Sequence, residues 1–267
     1  MNRRRLVALA CVVALAVLPT GIAWLRAKTS TADAFVSLPP SGPGWRSTSS
    51  IVGAMGRQYL RAVPMQALQA ALTALHEADP GRVFVVADSG HDDGGPFPPH
   101  ATHRDGRSVD ILVPLIDGHG EPTTLSTWPW NLWGYCWHLD DDGRVRGLRW
   151  EAKPVELPLL GATRLCPTIG SDDDDDDDDD DGDDDRRLDF EALAQLIVAV
   201  EREARVRGSG IERVIIAPEY RAPLLATPTG STFGPLAARV PKMSAWVRHD
   251  EHVHIDFVAS RSASSGR

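Results

Sequence analysis

Nine histidines occur in 267 residues, and six of them fall in two short windows: His91, His100 and His103 ahead of one β-rich run, and His249, His252 and His254 at another. Imidazole ligates transition metals and moves protons near neutral pH, so the clustering points to metal or acid–base chemistry. Residues two apart on a strand share a face, which puts His252, His254 and Asp256 on one side and Val253, Ile255 and Phe257 on the other. In the first window Ser108 and Asp110 alternate with Val109, Ile111 and Val113 in the same way. Asp110 can therefore point where His254 points, and His103, seven residues earlier and across Gly106, can be turned beside that carboxylate. Two imidazoles and a carboxylate make a nitrogen and oxygen donor set that suits one Zn2+ per chain, with the fourth position left to water. The competing reading is a set of exposed polar residues on two half-buried strands, since neither His-x-His nor this His–Asp spacing is specific alone. His249, three residues before His252, would face the apolar side of a regular strand and joins the others only if the chain turns or bulges near Asp250.

Positioning these groups requires strands and something to pack behind them. Arg82–Ala87, Ser108–Val113, Ile211–Ala217 and Glu251–Val258 are short β-branched or aromatic runs, hence strands. Pro64–Ala78 places Met65, Leu68, Ala71, Leu72 and Leu75 at helical spacing, and Leu188–Val206 does the same with Leu188, Phe190, Leu193, Leu196, Ile197 and Val200. The expected fold class is therefore α+β, with a small antiparallel sheet carrying the site and helices flanking it. Residues 51–260 are expected to form the domain, after a Ser/Thr/Pro/Gly-rich tether over 35–50 and before a disordered tail over 261–267. Periodicity fails over about 117–187, an irregular insertion in which Trp128, Trp130, Trp133, Tyr135 and Trp137 crowd together. The aromatics pack beneath a long loop or offer a platform to sugar rings or peptide.

Composition narrows the partners. Thirteen of the acids lie in the Asp tract within 172–185, without which the formal charge of −9 becomes +4, and the first 34 residues account for all of that +4. The remaining body is neutral and offers no basic face for nucleic acid. The tract is expected to be a solvated loop; it contains the opening of a calcium loop, but Leu188 stands where a bidentate Glu belongs. Arg3–Arg5 followed by the apolar run Leu6–Leu25 reads as an export signal cut near Ala32–Ala34, or as an uncleaved anchor in the inner membrane through residues 6–25. Either places the domain outside the cytoplasm, in the periplasm, where Cys136 and Cys166 form one disulfide or stay as two buried thiols.

Two segments bear a family likeness. Gly94–Ile111, with His100-Ala-Thr-His103-Arg-Asp-Gly-Arg-Ser-Val-Asp110, resembles the first active-site segment of the penicillin-insensitive murein endopeptidases, and His249-Asp-Glu-His252-Val-His254 resembles the second. That family belongs with the lysostaphin and D-alanyl-D-alanine metallopeptidases and the zinc domain of hedgehog proteins. Gly42-Pro-Gly-Trp45 is also similar to an upstream stretch, so the likeness runs over Pro40–Val258, except for His119–Arg187. It implies zinc held by His103, Asp110 and His254, a catalytic His252, and His100 and His249 as further active-site histidines. It also implies cleavage of the D-alanyl-meso-diaminopimelyl cross-link of peptidoglycan. Arg104 stands where the family commonly has Gln, Val253 where it usually has an aromatic, and most of its additional cysteines are absent. The rival expectations are a zinc D,D-carboxypeptidase on the same scaffold, with Arg104, Arg107 or Arg248 holding the terminal carboxylate, and a non-catalytic envelope protein that binds glycan through the Trp-rich insertion.

Overall fold

The computed structural model describes residues 34–97, 100, 102–127, 131, 133–148, 155–157, 161–163, 185–242 and 249–259. The apolar run 6–25, Cys166, Trp128, Trp130, Arg248, Asp172–Asp184 and the tail 261–267 lie outside them. Among the described residues no helix is long and apolar enough to cross a membrane.

The fold is α+β, built on a six-stranded sheet. In chain order its strands are β1 (Ser41–Gly42), β2 (Trp45–Ser47), β3 (Phe84–Val86), β4 (Ser108–Leu112), β5 (Ile211–Ile215) and β6 (His252–Phe257), and they lie side by side as β5-β6-β4-β3-β2-β1. All neighbours are antiparallel except β2 and β3, which run parallel, so the sheet is mixed and not purely antiparallel as expected. Strands β4 and β6 are neighbours inside the sheet, and their register sets His254 against Asp110, His252 against Leu112 and Asp256 against Ser108. Val253, Ile255 and Phe257 on β6 and Val109 and Ile111 on β4 enter the hydrophobic core.

Two long helices supply the rest of that core. Helix α1 (Ala62–Ala78) buries Met65, Leu68, Ala71 and Leu72, with Pro64 in the first turn, where no intrahelical N–H partner is lost. Helix α2 (Phe190–Val206) starts at Asp189, whose side chain accepts from Ala192 N–H at 3.0 Å, and buries Leu193, Leu196, Ile197 and Val200. Arg82 reaches the same Asp189 at 2.7 Å, fixing the helix start to the loop before β3.

Residues 35–50 are not a tether. Phe35–Ser37 pairs antiparallel with Tyr59–Arg61, and β1 and β2 add to the sheet, so the domain begins at the amino-terminal side of Ser50. The Ser/Pro/Gly composition belongs to the turns between very short strands. At one of these turns Gly44 takes φ +75°, and a Cβ there would come within 2.6 Å of His76 Cβ on α1. The insertion is also more regular than expected. Leu115–Ile116 pairs with Arg187–Leu188, which closes its base, and Trp137–Leu139 forms a hairpin with Val145–Leu148. Cys136 is buried and disulfide-bonded, so the reading of two free thiols does not hold for it.

Trp45 discriminates the two accounts of the amino-terminal segment, because it is only 3% exposed. Trp45→Ala should lower the unfolding free energy by about 3–5 kcal/mol in a denaturant titration, the usual cost of emptying a core aromatic site. A tether would show a change under about 0.5 kcal/mol.

Candidate metal and acid–base site

The polar face of β4 and β6 is as buried as the apolar face. Asp110 and His103 are fully inaccessible and His252 and His254 are 2% exposed, which excludes the reading of solvated surface histidines. The face is roofed by the loop carrying Phe97, His100 and His103 and by Tyr135 from the insertion. Phe97 stacks on His103 with ring centroids 5.4 Å apart, and His100 meets His103 edge-on at 4.6 Å.

Asp110 is where the groups converge. Its Oδ1 lies 2.7 Å from His254 Nδ1. Its Oδ2 accepts from the Tyr135 hydroxyl at 2.7 Å and lies 3.3 Å from His103 Nε2, 3.6 Å from His100 Nδ1 and 3.9 Å from His252 Nε2. His100, His103 and Asp110 each offer one atom to a common point, with all three atoms within 4.8 Å of one another, a group able to hold a metal ion. His254 reaches the same carboxylate from the facing strand. The structure thus brings together five of the expected residues, His100, His103, Asp110, His252 and His254, and the metal-capable trio has His100 where the sequence reading had His254. The sixth, His249, joins them because the chain bends at Asp250–Glu251 before β6 begins, bringing its ring to 4.5 Å from that of His252.

Partners behind the site settle the tautomers. Ser89 carbonyl can only accept, and it lies 2.9 Å from His103 Nδ1, so the proton sits there. His103 Nε2 is then a lone pair, buried and without a hydrogen bond, a costly arrangement unless a cation takes it. His252 Nδ1 lies 3.2 Å from Glu251 Oε1, which turns Nε2 toward the pocket. Asp256 Oδ1 lies 2.8 Å from His254 Nε2 and is itself held by Ser108 Oγ at 2.6 Å, while Arg213 pairs with its other oxygen. His100 Nε2 sits 3.3 Å from Asp88, whose carboxylate is in a buried two-bond pair with Arg57.

These contacts set the electrostatics. Burial alone would raise the Asp110 carboxyl, but the adjacent His103 and His252 and the hydrogen bond with His254 hold it well below the usual carboxylate range. Burial opposes Asp88 ionisation too, yet Arg57 and His100 bring it down to about 2. Burial pushes His103 down and His252 far down, so both are neutral imidazoles near pH 7. His254 goes the other way: burial would lower it, but the hydrogen bond and charge of Asp110, followed by those of Asp256, raise it to about 9. Raised in this way, His254 is an imidazolium near pH 7 that donates from Nδ1 to Asp110 and from Nε2 to Asp256. Neutral nitrogen donors, an ionised carboxylate and an orphaned buried lone pair fit a borderline divalent cation such as zinc.

Tyr135, Asp88, Arg57 and Glu251 were not singled out from sequence as site residues. Tyr135 stood in the aromatic crowd of the insertion, Asp88 and Arg57 have no spacing relation to the histidines, and Glu251, though next to His252, lies outside the alternation that groups His252 with His254. A scan against protein-family models gives no match, and a search of curated proteins finds no similar chain.

The raised His254 has a measurable consequence. Its folded pKa of about 9 exceeds the ordinary 6.5, so in metal-free protein it contributes stability that is full below pH 6.5 and is lost as pH rises from there through 9. His103 and His252, lowered by burial, have the opposite sign and cost stability as pH falls below 6.5. Chelator-treated protein should therefore be most stable near neutrality, and Asp256→Asn should flatten the alkaline fall by removing one of the two carboxylates that hold the proton. Urea midpoints across pH 5–10 read this out; an unchanged alkaline limb in the variant would contradict it.

Proposed function

We propose that the protein is a zinc-dependent peptidase acting on peptidoglycan outside the cytoplasm, cleaving the D-alanyl-meso-diaminopimelyl cross-link. The observation that carries the reading is the buried His103 Nε2, left without a hydrogen bond beside Asp110 while Ser89 fixes the opposite nitrogen. The substrate rests on the resemblance of Gly94–Ile111 and His249–His254 to the penicillin-insensitive murein endopeptidases, and the neutral body of the chain agrees with a partner other than nucleic acid.

His103 and Asp110 would hold the ion, with His254 as the third donor through Nδ1 once its proton is displaced, and Asp256 keeping the proton on Nε2. When bound, zinc polarises a peptide carbonyl and lowers the pKa of an associated water toward about 7. The remaining work falls to the chain. His252 is neutral, keeps its Nδ1 toward Glu251 and presents Nε2 to the pocket, so it accepts the proton of the attacking water and passes one to the leaving amine. His100, beside Asp88, and His249, its ring tilted against that of His252 at 4.5 Å, complete the ring of imidazoles around the pocket. No serine nucleophile takes part, and no Ser-x-x-Lys occurs in the chain.

Cross-linked muropeptide dimers of the diaminopimelate type, incubated with the protein, should yield monomers; chelator should stop this, zinc should restore it, and penicillin should have no effect. Release of terminal D-alanine from monomers in place of dimer opening would favour the carboxypeptidase reading. His252→Ala should lose about 10²–10⁴-fold in rate while keeping its zinc, whereas His254→Ala should lose both. Inactivity of metal-loaded parent protein on both substrates would overturn the proposal.

A further inference from the structure

Among the described residues, Tyr135 is the non-histidine group that the insertion delivers to Asp110, and it is delivered firmly. Gly134 beside it takes φ +91°, and a Cβ there would lie 2.8 Å from Leu112 Cδ2 on β4, so only glycine lets this turn pack so closely on the sheet. Cys136 on its other side is disulfide-bonded, and its N–H donates to Asn131 Oδ1 at 3.0 Å. A little further along, Asp250, buried just ahead of β6, accepts from Leu139 N–H at 3.1 Å and pairs with His138 at 3.0 Å. The loop is thus tied both to β4 and to the residues that lead into the catalytic strand.

The phenol that this loop presents is not mere packing. Its ring lies 5.0 Å from that of His252 and 5.4 Å from that of His100, both steeply inclined, and its hydroxyl is 2.7 Å from Asp110 Oδ2. His252 Nε2 stands 3.9 Å from that same oxygen. The base and the phenol therefore flank one point on the carboxylate that would hold the ion. A phenol is a neutral O–H donor at pH 7. Peptide hydrolysis at such a point needs a donor for the carbonyl oxygen as it gains charge, and the Tyr135 O–H stands beside the base that the reaction uses.

We propose that Tyr135 is a catalytic residue whose hydroxyl donates a hydrogen bond to the carbonyl oxygen of the scissile peptide as the tetrahedral intermediate forms. This rests on the peptidase reading above. Water adds its oxygen to the carbonyl carbon, its proton passes to His252, and the former carbonyl oxygen carries the negative charge facing Tyr135. When the C–N bond breaks, the carbonyl reforms and the amine leaves with the proton from His252. Tyr135 keeps its own proton throughout; its single O–H turns from Asp110 Oδ2, which the ion would take, to the carbonyl oxygen.

The test compares zinc-loaded parent and Tyr135→Phe protein in three measurements. On cross-linked muropeptide dimers, kcat should fall by about 10²–10³-fold with KM within about threefold, the usual loss for one such donor. Binding of a phosphinate pseudodipeptide, a tetrahedral mimic of the D-alanyl cross-link, should weaken by a similar factor in calorimetry. Zinc affinity, from competition with a chromogenic chelator, should stay within threefold. Unchanged turnover and phosphinate binding by Tyr135→Phe, with an active parent, would overturn the role of Tyr135 alone. A fall in zinc affinity that accounts for the lost rate would also overturn it and make Tyr135 a support for Asp110. A parent that neither cleaves dimers nor binds the phosphinate would overturn both this role and the peptidase reading. Because Gly134 sets the loop, Gly134→Ala should reproduce the kinetic defect, again without loss of zinc.

Discussion

Asp110 is a fully buried carboxylate, and its ionisation is the constraint around which the site is arranged. An isolated charge in that position would cost many kcal/mol, and neutralising it by protonation would remove its value as a ligand. The chain keeps it charged by surrounding it with a tyrosine hydroxyl, the His254 ring and two further imidazoles within 3.6 Å. Each of those imidazoles is in turn held from behind, His103 by Ser89 carbonyl, His254 by Asp256 and His100 by the Asp88–Arg57 pair. A buried charge stabilised only partly would be a liability to folding. Stabilised in this way it is a preorganised member of a group able to hold a metal ion.

The sheet explains how one carboxylate can collect so many partners. Pairing of His254 with Asp110 across β6 and β4 is enforced by the opposite face, where Val253, Ile255 and Phe257 join Val109 and Ile111 in the core. A slip of one residue would send the imidazoles into that core and the aliphatic side chains into the polar pocket, so the register that packs the core is the register that assembles the site. Stability and chemistry share one constraint here. The insertion adds the outer wall through Tyr135, and its closure at Leu115–Ile116 and Arg187–Leu188 keeps the intervening residues compatible with the domain.

Periodic features were legible in the sequence, because strands repeat every two residues and helices about every 3.6. The alternation in Ser108–Val113 and His252–Phe257 located the shared face, and the apolar spacing in α1 and α2 located the helices. His249 lay off that alternation and was expected to join the site only through a turn or bulge near Asp250; the bend at Asp250–Glu251 supplies it, a feature with no periodic signature. Tyr135, Asp88 and Arg57 were missed for a related reason: they meet the site only through long-range packing, at separations that carry no pattern, whereas Glu251 directly precedes His252 and was missed because strand neighbours are expected on opposite faces. The segment 35–50 was misread because strands of two or three residues leave a composition dominated by their turns, and because the burial of Trp45 is a tertiary fact. His100 as a metal-facing group was visible as a histidine near the motif, but its orientation depends on Asp88, just past the end of β3.

The central claim is that the groups around Asp110 form one zinc site. Zinc K-edge X-ray absorption on stoichiometrically loaded protein tests it most directly, with metal content measured on the same sample. The account predicts one zinc per chain with nitrogen and oxygen neighbours only, at about 2.0–2.1 Å, and outer-shell scattering from at least two imidazoles. Zinc content well below one per chain after loading, or a sulfur neighbour at about 2.3 Å, would contradict it.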